Sequence, residues 1–165
     1  MSGRTSWFGD AVRGAVAGGA AVWLMDQVTT SMLQHQTAET TRREEAARPH
    51  GKGSVENLVD LLSERWHLDL DDTAKGRAAQ AVHYGLGIVP GAVYGAARGR
   101  VPGVGVARGL GYGLVLFAVN DEWANAALGL SAPAEDYPPE THLRGAVGHL
   151  VLGAVTDTGI DVLGG

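Results

Sequence analysis

Charged residues are missing from long stretches of this chain and crowd into the segments between them. No Asp, Glu, Lys or Arg occurs in residues 78–97, 109–120 or 145–156, and Asp26 is the only charge in residues 14–38. A helix that crosses a bilayer needs about 20 mostly apolar residues. Four windows approach that length: residues 11–33, 75–98, 103–128 and 142–162.

The main alternative to membrane spans is a soluble, glycine-rich helical bundle. A helix that faces water on one side carries a polar stripe that repeats every 3.6 residues. Within residues 78–97, only Gln80 and His83 are placed to form such a stripe. Gly and Pro are costly in water-exposed helices and better tolerated inside membranes. The pattern therefore predicts an all-α fold, a four-helix transmembrane bundle in which residues 1–165 form a single membrane domain.

Residues 34–72 form the one long polar segment between predicted spans. The mixed charge of its first half is typical of a solvated loop or a frayed helix extension. Ser54 and Asn57 then open a short amphipathic stretch that is followed by Trp66. A helix of this kind, with Trp at the level of the lipid headgroups, is typical of a segment that lies on a membrane surface. A helix that caps the end of the bundle is the alternative interpretation.

Composition excludes several classes of protein. The chain has no cysteine, which rules out a disulfide scaffold, a thiolate zinc site and an iron–sulfur cluster. Its net charge of −5 argues against a nucleic-acid partner. The 25 glycines lack the three-residue period of collagen.

The short connectors predict the orientation of the spans in the membrane. Basic residues near span ends favour the cytoplasmic side, and the connector between windows two and three contains Arg98, Arg100 and Arg108 without an acid. The charged residues of the connector between windows three and four are all acidic. Both termini are therefore predicted to be cytoplasmic, although the basic residues of the long first loop oppose this orientation.

Glycine recurs every four residues in the second and third windows. A four-residue repeat forms a nearly straight groove on a helix, where another backbone can approach closely. The predicted role is packing of windows two and three against each other, and the alternative is self-association of two copies into a homo-oligomer. The repeat comprises Gly87, Gly91, Gly95 and Gly99 in window two and Gly105, Gly109 and Gly113 in window three.

Polar side chains within the windows are predicted to meet in one layer. If neighbouring helices alternate in direction, a rise of about 1.5 Å per residue places a polar group from each helix at a similar depth. Ionisable groups at such depth are costly and are by default candidates for function. The predicted layer comprises Asp26, His83, Asn120, Asp121, His149 and Asp157.

Three interpretations of this layer are open. The first interpretation is a proton or ion relay, since histidine titrates near neutral pH and an adjacent acid can exchange its proton. The second interpretation is a metal or haem site, for which the candidate metal ligands are His83, His149, Asp121 and Glu122. The third interpretation is structural, a set of hydrogen bonds between helices that contribute about 0.6–2 kcal/mol each.

Four features of the second half of the chain suggest a relationship. They are Gly109 with Gly113, the sequence of residues 128–133 (LGLSAP), the sequence of residues 148–151 (GHLV), and Asp157. Through these features residues 108–157 resemble the YagU-like family of bacterial inner-membrane proteins. The resemblance implies a multi-span inner-membrane protein with a link to acid resistance, and it brings no catalytic residues.

Together these observations predict a non-enzymatic, multi-pass protein of the bacterial inner (cytoplasmic) membrane. Its predicted partner is the lipid bilayer, and no cofactor or catalytic residue is predicted. The predicted role is support of envelope or acid-stress physiology through the His/Asp layer. The alternatives are a proton or ion pathway or carrier, a metal- or haem-binding membrane protein, and the soluble bundle.

Overall fold

The computed structural model describes residues 6–164, and all the regular structure in that range is helical. The all-α prediction is therefore confirmed. Four long helical segments alternate with short elements, and the third of these segments is built from α5, a π-helix and α6. The elements are α1 (Trp7–Gln34), α2 (Ala38–Ala47), α3 (Ser54–Arg65), α4 (Asp72–Ala97), α5 (Leu110–Leu116), the π-helix (Phe117–Ala124), α6 (Asn125–Ala127) and α7 (Pro139–Gly164).

Side-chain caps fix where two of the long helices begin. The Ser6 hydroxyl accepts a hydrogen bond from the Gly9 amide at 3.0 Å, so α1 begins before the predicted window. The Asp71 carboxylate accepts one from the Ala74 amide at 2.7 Å and starts α4. Both caps satisfy amides that lack a partner within the helix.

The third long segment begins later than the predicted residue 103. Ala107 and Arg108 have φ values of +52° and +53°, and Gly109 has +83°. This left-handed backbone cannot continue a right-handed helix, so the chain turns before α5 begins at Leu110. Apolar composition alone does not reveal this turn.

α1 and α4 pack antiparallel along a seam of glycines. A Cβ on Gly91 would lie 2.6 Å from the carbonyl oxygen of Gly14, and Gly87 faces Gly18 in the same way. Gly95 continues the seam against the first turn of α1. The prediction that this stripe packs against window three is therefore wrong. Window one carries the matching small residues.

α5 packs antiparallel against α7 along a second glycine seam. Gly109 and Gly113 lie against the α7 backbone at Gly153 and His149. Two members of the predicted set lie outside these seams. Gly99 has open space where a side chain would be, and Gly105 lies beside Arg98.

The helices are arranged in the order α4, α1, α7, α5 around the bundle, because α1 and α7 also pack together. The buried apolar side chains between them are few, and only three of the six, Tyr94, Leu152 and Ile160, are large. Close backbone contact therefore contributes much of the packing. The buried apolar residues of these helices are Ala17, Ala21, Val22, Tyr94, Leu152 and Ile160.

Among the described residues, one helix is long and apolar enough to cross a membrane, namely α7 (Pro139–Gly164). The prediction of four spans is not confirmed by this measure. There are two physical reasons. The third segment is divided into α5, the π-helix and α6, none of which is long enough to span a bilayer alone. In α1 and α4, the many glycines and the polar residues lower the hydropathy.

The polar segment between α1 and α4 folds onto one end of the bundle. α2 forms where a loop or a frayed helix was expected, and α3 forms over the predicted amphipathic stretch. α3 packs against α4, and its Asn57 amide donates to the Leu130 carbonyl at 3.0 Å. These contacts match a helix that caps the bundle.

Glu44 of α2 fixes this segment to the start of α7. Its buried carboxylate accepts hydrogen bonds from Arg144 at 2.6 Å, from Arg48 at 2.8 Å and from Gln36 at 3.2 Å. Burial alone would raise the pKa of Glu44, but these donors outweigh it and lower the pKa from 4.5 to about 2.

The glycine seam predicts the effect of a single methyl group. Gly91→Ala should lower the free energy of unfolding by about 1–3 kcal/mol, because the added Cβ forces two backbones apart. Gly85→Ala on the same helix is the matched control, since open space surrounds that position. It should be neutral or raise stability by about 0.5–1 kcal/mol. Denaturant titration of the purified variants measures both, and equal effects would show that the seam is not tightly packed.

The pKa of Glu44 predicts a pH dependence. A carboxyl group whose pKa is lower in the folded state stabilises the fold above its unfolded pKa, and this contribution is lost as the pH falls. Glu44→Gln should therefore cost about 2–3 kcal/mol at pH 7. The difference in the free energy of unfolding between this variant and the wild type should narrow as the pH falls from about 4.5 towards 2. Thermal unfolding at pH 7 and pH 3 tests this, with exposed Glu39→Gln as the control. A difference that stays constant would contradict it.

Candidate functional site

The first pair of the predicted polar layer joins α1 to α4. His83 Nε2 lies 2.8 Å from Asp26 Oδ1, and both side chains are about one-third exposed. The α1–α4 glycine seam positions this pair. Because Gly18 and Gly87 meet backbone to backbone, the side chains beyond them reach each other across the same interface.

A second polar group joins the π-helix to α7. The Asn120 amide donates to Asp121 Oδ1 at 2.8 Å. His149 is buried, and its Nδ1 donates to the Gly145 carbonyl at 3.0 Å and lies 3.5 Å from Asp121 Oδ2. π-Helical turns are uncommon and are frequent at functional sites. Here the π-helix carries both Asn120 and Asp121.

The two groups share one cavity between the helices, called the internal cavity below, which is partly open to the surface. This cavity, of about 230 Å³, is lined by His83, Asn120, Asp121 and His149 together with apolar residues such as Val22. The structure thus brings together five of the six predicted residues, since Asp26 is bonded to His83. Polar groups from all four long segments converge at this point.

A larger cavity lies at the end of the bundle that α2 and α3 cover. It measures about 310 Å³ and is lined by Asp121, Glu122, His142 and Lys52, among others. Glu122 Oε1 lies 2.7 Å from His142 Nδ1. Asp121 lines both cavities, so its carboxylate connects the outer polar region with the internal cavity.

Asp157 does not belong to the layer, and that part of the prediction is wrong. Its Oδ1 accepts hydrogen bonds from Tyr94 at 2.6 Å and from Arg98 at 2.8 Å, and Arg98 also pairs with Asp161. These residues lie at the opposite end of the bundle. Eight residues of helix separate Asp157 from His149, about 12 Å along α7.

The predicted metal ligands are not assembled into one set. His83 pairs with Asp26, Asp121 lies beside His149, and Glu122 pairs with His142. No group of three or more His, Asp or Glu side chains in residues 6–164 is arranged to hold a metal ion. Glu122 lines the outer cavity, where its carboxylate pairs with His142.

Sequence reasoning missed His142, Tyr94 and Arg98. The polar neighbours of His142 resemble those of the solvated histidines elsewhere in the chain, and its partner Glu122 is 20 residues away. Tyr94 and Arg98 are four residues apart and follow the face of Gly91, so a search for polar groups along the glycine stripe would have found them.

Two tyrosines stack in the middle of the bundle with different hydroxyl environments. The rings of Tyr94 and Tyr112 lie 4.4 Å apart and are nearly parallel. The Tyr94 hydroxyl donates to Asp157, whereas the Tyr112 hydroxyl is buried with no protein partner among the described residues. Tyr112 therefore marks an apolar layer between the two polar ends.

Comparison of the chain with models of protein families, with curated proteins and with solved structures finds no significant match. The resemblance to the YagU-like family accordingly stays a prediction, and no residue role is transferred from it.

The tyrosine pair predicts opposite outcomes for the same chemical change. Tyr94→Phe should lower the free energy of unfolding by about 1.5–3 kcal/mol, because it removes a hydrogen bond to a carboxylate. Tyr112→Phe should be neutral or stabilising, since its hydroxyl is buried without a partner. Denaturant titration compares the two variants, and a cost for Tyr112→Phe as large as that for Tyr94→Phe would contradict the assignment.

Proposed function

We propose that this chain is a multi-pass membrane protein that exchanges protons through the polar groups inside its helical bundle. The observation that carries the proposal is the convergence of the Asp26–His83 and Asp121–His149 pairs on one internal cavity. Each pair joins an imidazole to a carboxylate, and both kinds of side chain can take up and release a proton.

The outer surface of the bundle supports a membrane location. Large apolar side chains are exposed on all four long segments, and contiguous exposed apolar surface marks protein or membrane interaction sites. The exposed apolar residues of these segments include Val12, Val16, Trp23, Val89, Val93, Val115, Val119, Trp123, Leu143 and Val162.

The interior supports the same location. In lipid, helices associate through small residues and polar contacts, because burial of large apolar side chains gives little advantage there. The glycine seams and the ion pairs between helices follow this pattern. All four long segments then cross the bilayer as one bundle in the inner membrane.

The cavities suggest a route for protons. From the end covered by α2 and α3, the outer cavity leads to Asp121, which borders the internal cavity and His149. At the opposite end, Asp157 and Arg98 form the second polar cluster. The apolar layer around Tyr112 separates the two, so transfer across the full width requires that layer to open or to admit water. Support of acid-stress physiology is the role that such exchange would serve.

Proteoliposomes with an internal pH-sensitive dye test the proposal. An imposed pH difference should collapse faster with the wild-type protein than in empty vesicles. Asp121→Asn and His149→Gln should each slow the collapse at least about tenfold, the size expected when an essential proton-transfer group is lost. Gly85→Ala is the control and should keep the wild-type rate.

Two flux results would overturn the proposed proton exchange. One is a wild-type rate equal to that of empty vesicles. The other is unchanged flux in both variants with reduced thermal stability, which would make the polar groups structural. Recovery of the protein in plain buffer, without detergent, would remove the membrane location itself.

A further inference from the structure

A continuous cleft runs between α4 and the segment formed by α5 and the π-helix. The internal polar cavity forms one end of it, and an apolar groove of about 720 Å³ extends from there. Pro90 and Leu116 line both the cavity and the groove. The groove is lined almost entirely by apolar side chains, among them Val89, Val93, Val104 and Val115.

The cleft exists because α4 and α5 are held by different partners. α4 packs against α1, and α5 packs against α7, each along its own glycine seam. The two helices approach each other at the stacked rings of Tyr94 and Tyr112, which contribute to the groove lining. From His83 to Ala97 the cleft follows 14 residues of α4, about 21 Å.

We propose that this cleft binds a neutral lipid with one hydrocarbon chain. The head group lies in the polar cavity, and the chain lies in the groove. The proposal rests on the membrane location proposed above, since a cleft on the outer side of the bundle is then open to the bilayer. A ligand that is polar at one end and apolar along its length matches the order of the lining residues.

The polar end favours a head group that both donates and accepts hydrogen bonds. His83 uses Nε2 for Asp26, and His149 uses Nδ1 for the Gly145 carbonyl, so each ring keeps a second nitrogen for other contacts. The carboxylates of Asp26 and Asp121 lie in the same region. They would repel an anionic head group, because like charges in a poorly solvated site are strongly unfavourable.

The apolar end suits a single chain. Its volume of about 720 Å³ lies within the range of roughly 300–1,000 Å³ that is typical of small-ligand sites. Val89 and Val93 are 64% and 65% exposed, so their side chains are available for contact with a ligand. A hydrocarbon chain in the groove makes dispersion contacts with both helices along its length. A lipid in the surrounding bilayer is disordered and makes fewer such contacts with the protein.

Monoolein is the probe, and its retention by the full-length protein in detergent is the measurement. The protein is incubated with monoolein and passed through gel filtration, and the bound lipid is quantified by mass spectrometry. We expect saturable binding near one molecule per chain. Oleate, which has the same tail and a charged head, should bind at least about tenfold more weakly, equivalent to about 1.4 kcal/mol.

Substitutions distinguish specific binding in the groove from non-specific contact of lipid with the protein surface. Val93→Trp fills the groove and should weaken monoolein binding at least about tenfold. Val16→Trp is the matched control, because Val16 is an exposed valine of α1 that does not line the groove. Asn120→Leu removes a polar group from the cavity and should weaken monoolein binding without strengthening that of oleate. Thermal unfolding verifies that each variant is folded, and Val89→Trp replaces Val93→Trp if the latter is not.

Equal loss with Val93→Trp and Val16→Trp, or no loss with either, would overturn the proposal, because the lipid would then be held non-specifically. Equal retention of oleate and monoolein would overturn the assignment of a neutral head group. If the wild type shows proton flux but no saturable lipid binding, this inference fails and the proposed function stands. If the protein does not enter membranes at all, both fail together.

Discussion

The close approach of glycine backbones is the constraint on which the rest of this structure depends. At Gly91 the Cβ position is already filled by the backbone of α1, and at Gly113 it is filled by the backbone of α7. In this way the backbones of two helix pairs pack at short distance, α1 with α4 and α5 with α7. Dispersion between backbones then substitutes for a large apolar core. The few larger buried side chains form two small clusters, one with Tyr94 and Ile160 and the other with Val22 and Leu152.

The same constraint determines where the polar groups meet. A glycine seam fixes the relative height of two helices, so a side chain one turn beyond the seam has a defined partner on the other helix. His83 reaches Asp26 across the first seam, and His149 lies beside Asp121 across the second. At the far end, Arg98 reaches Asp157 because α4 and α7 both border α1. Ion pairs at both ends therefore follow from packing in the middle.

The sequence was sufficient for the helical class, the long helical segments and most of the polar layer. Charge-free windows and the four-residue glycine repeat carry that information directly. It was not sufficient for the partner of each glycine stripe, because any two small faces are compatible and only the tertiary arrangement chooses between them. The sequence also did not reveal the left-handed turn at Ala107 and Arg108 or the π-helix at 117–124, since neither depends on composition. The predicted metal set does not assemble because its members pair separately, His83 with Asp26, His149 with Asp121, and Glu122 with His142.

The arrangement of the two seams also explains why a cleft lies between α4 and α5. Each of these two helices uses its glycine face on another partner, α4 on α1 and α5 on α7. The chain that joins them turns through positive-φ residues, which lets the two helices remain apart although they are consecutive. What is left between them is polar where the π-helix carries Asn120 and Asp121, and apolar where valines follow. At the membrane location proposed above, lipid would fill such a gap, and the polar and apolar ends of its lining would select which lipid binds there.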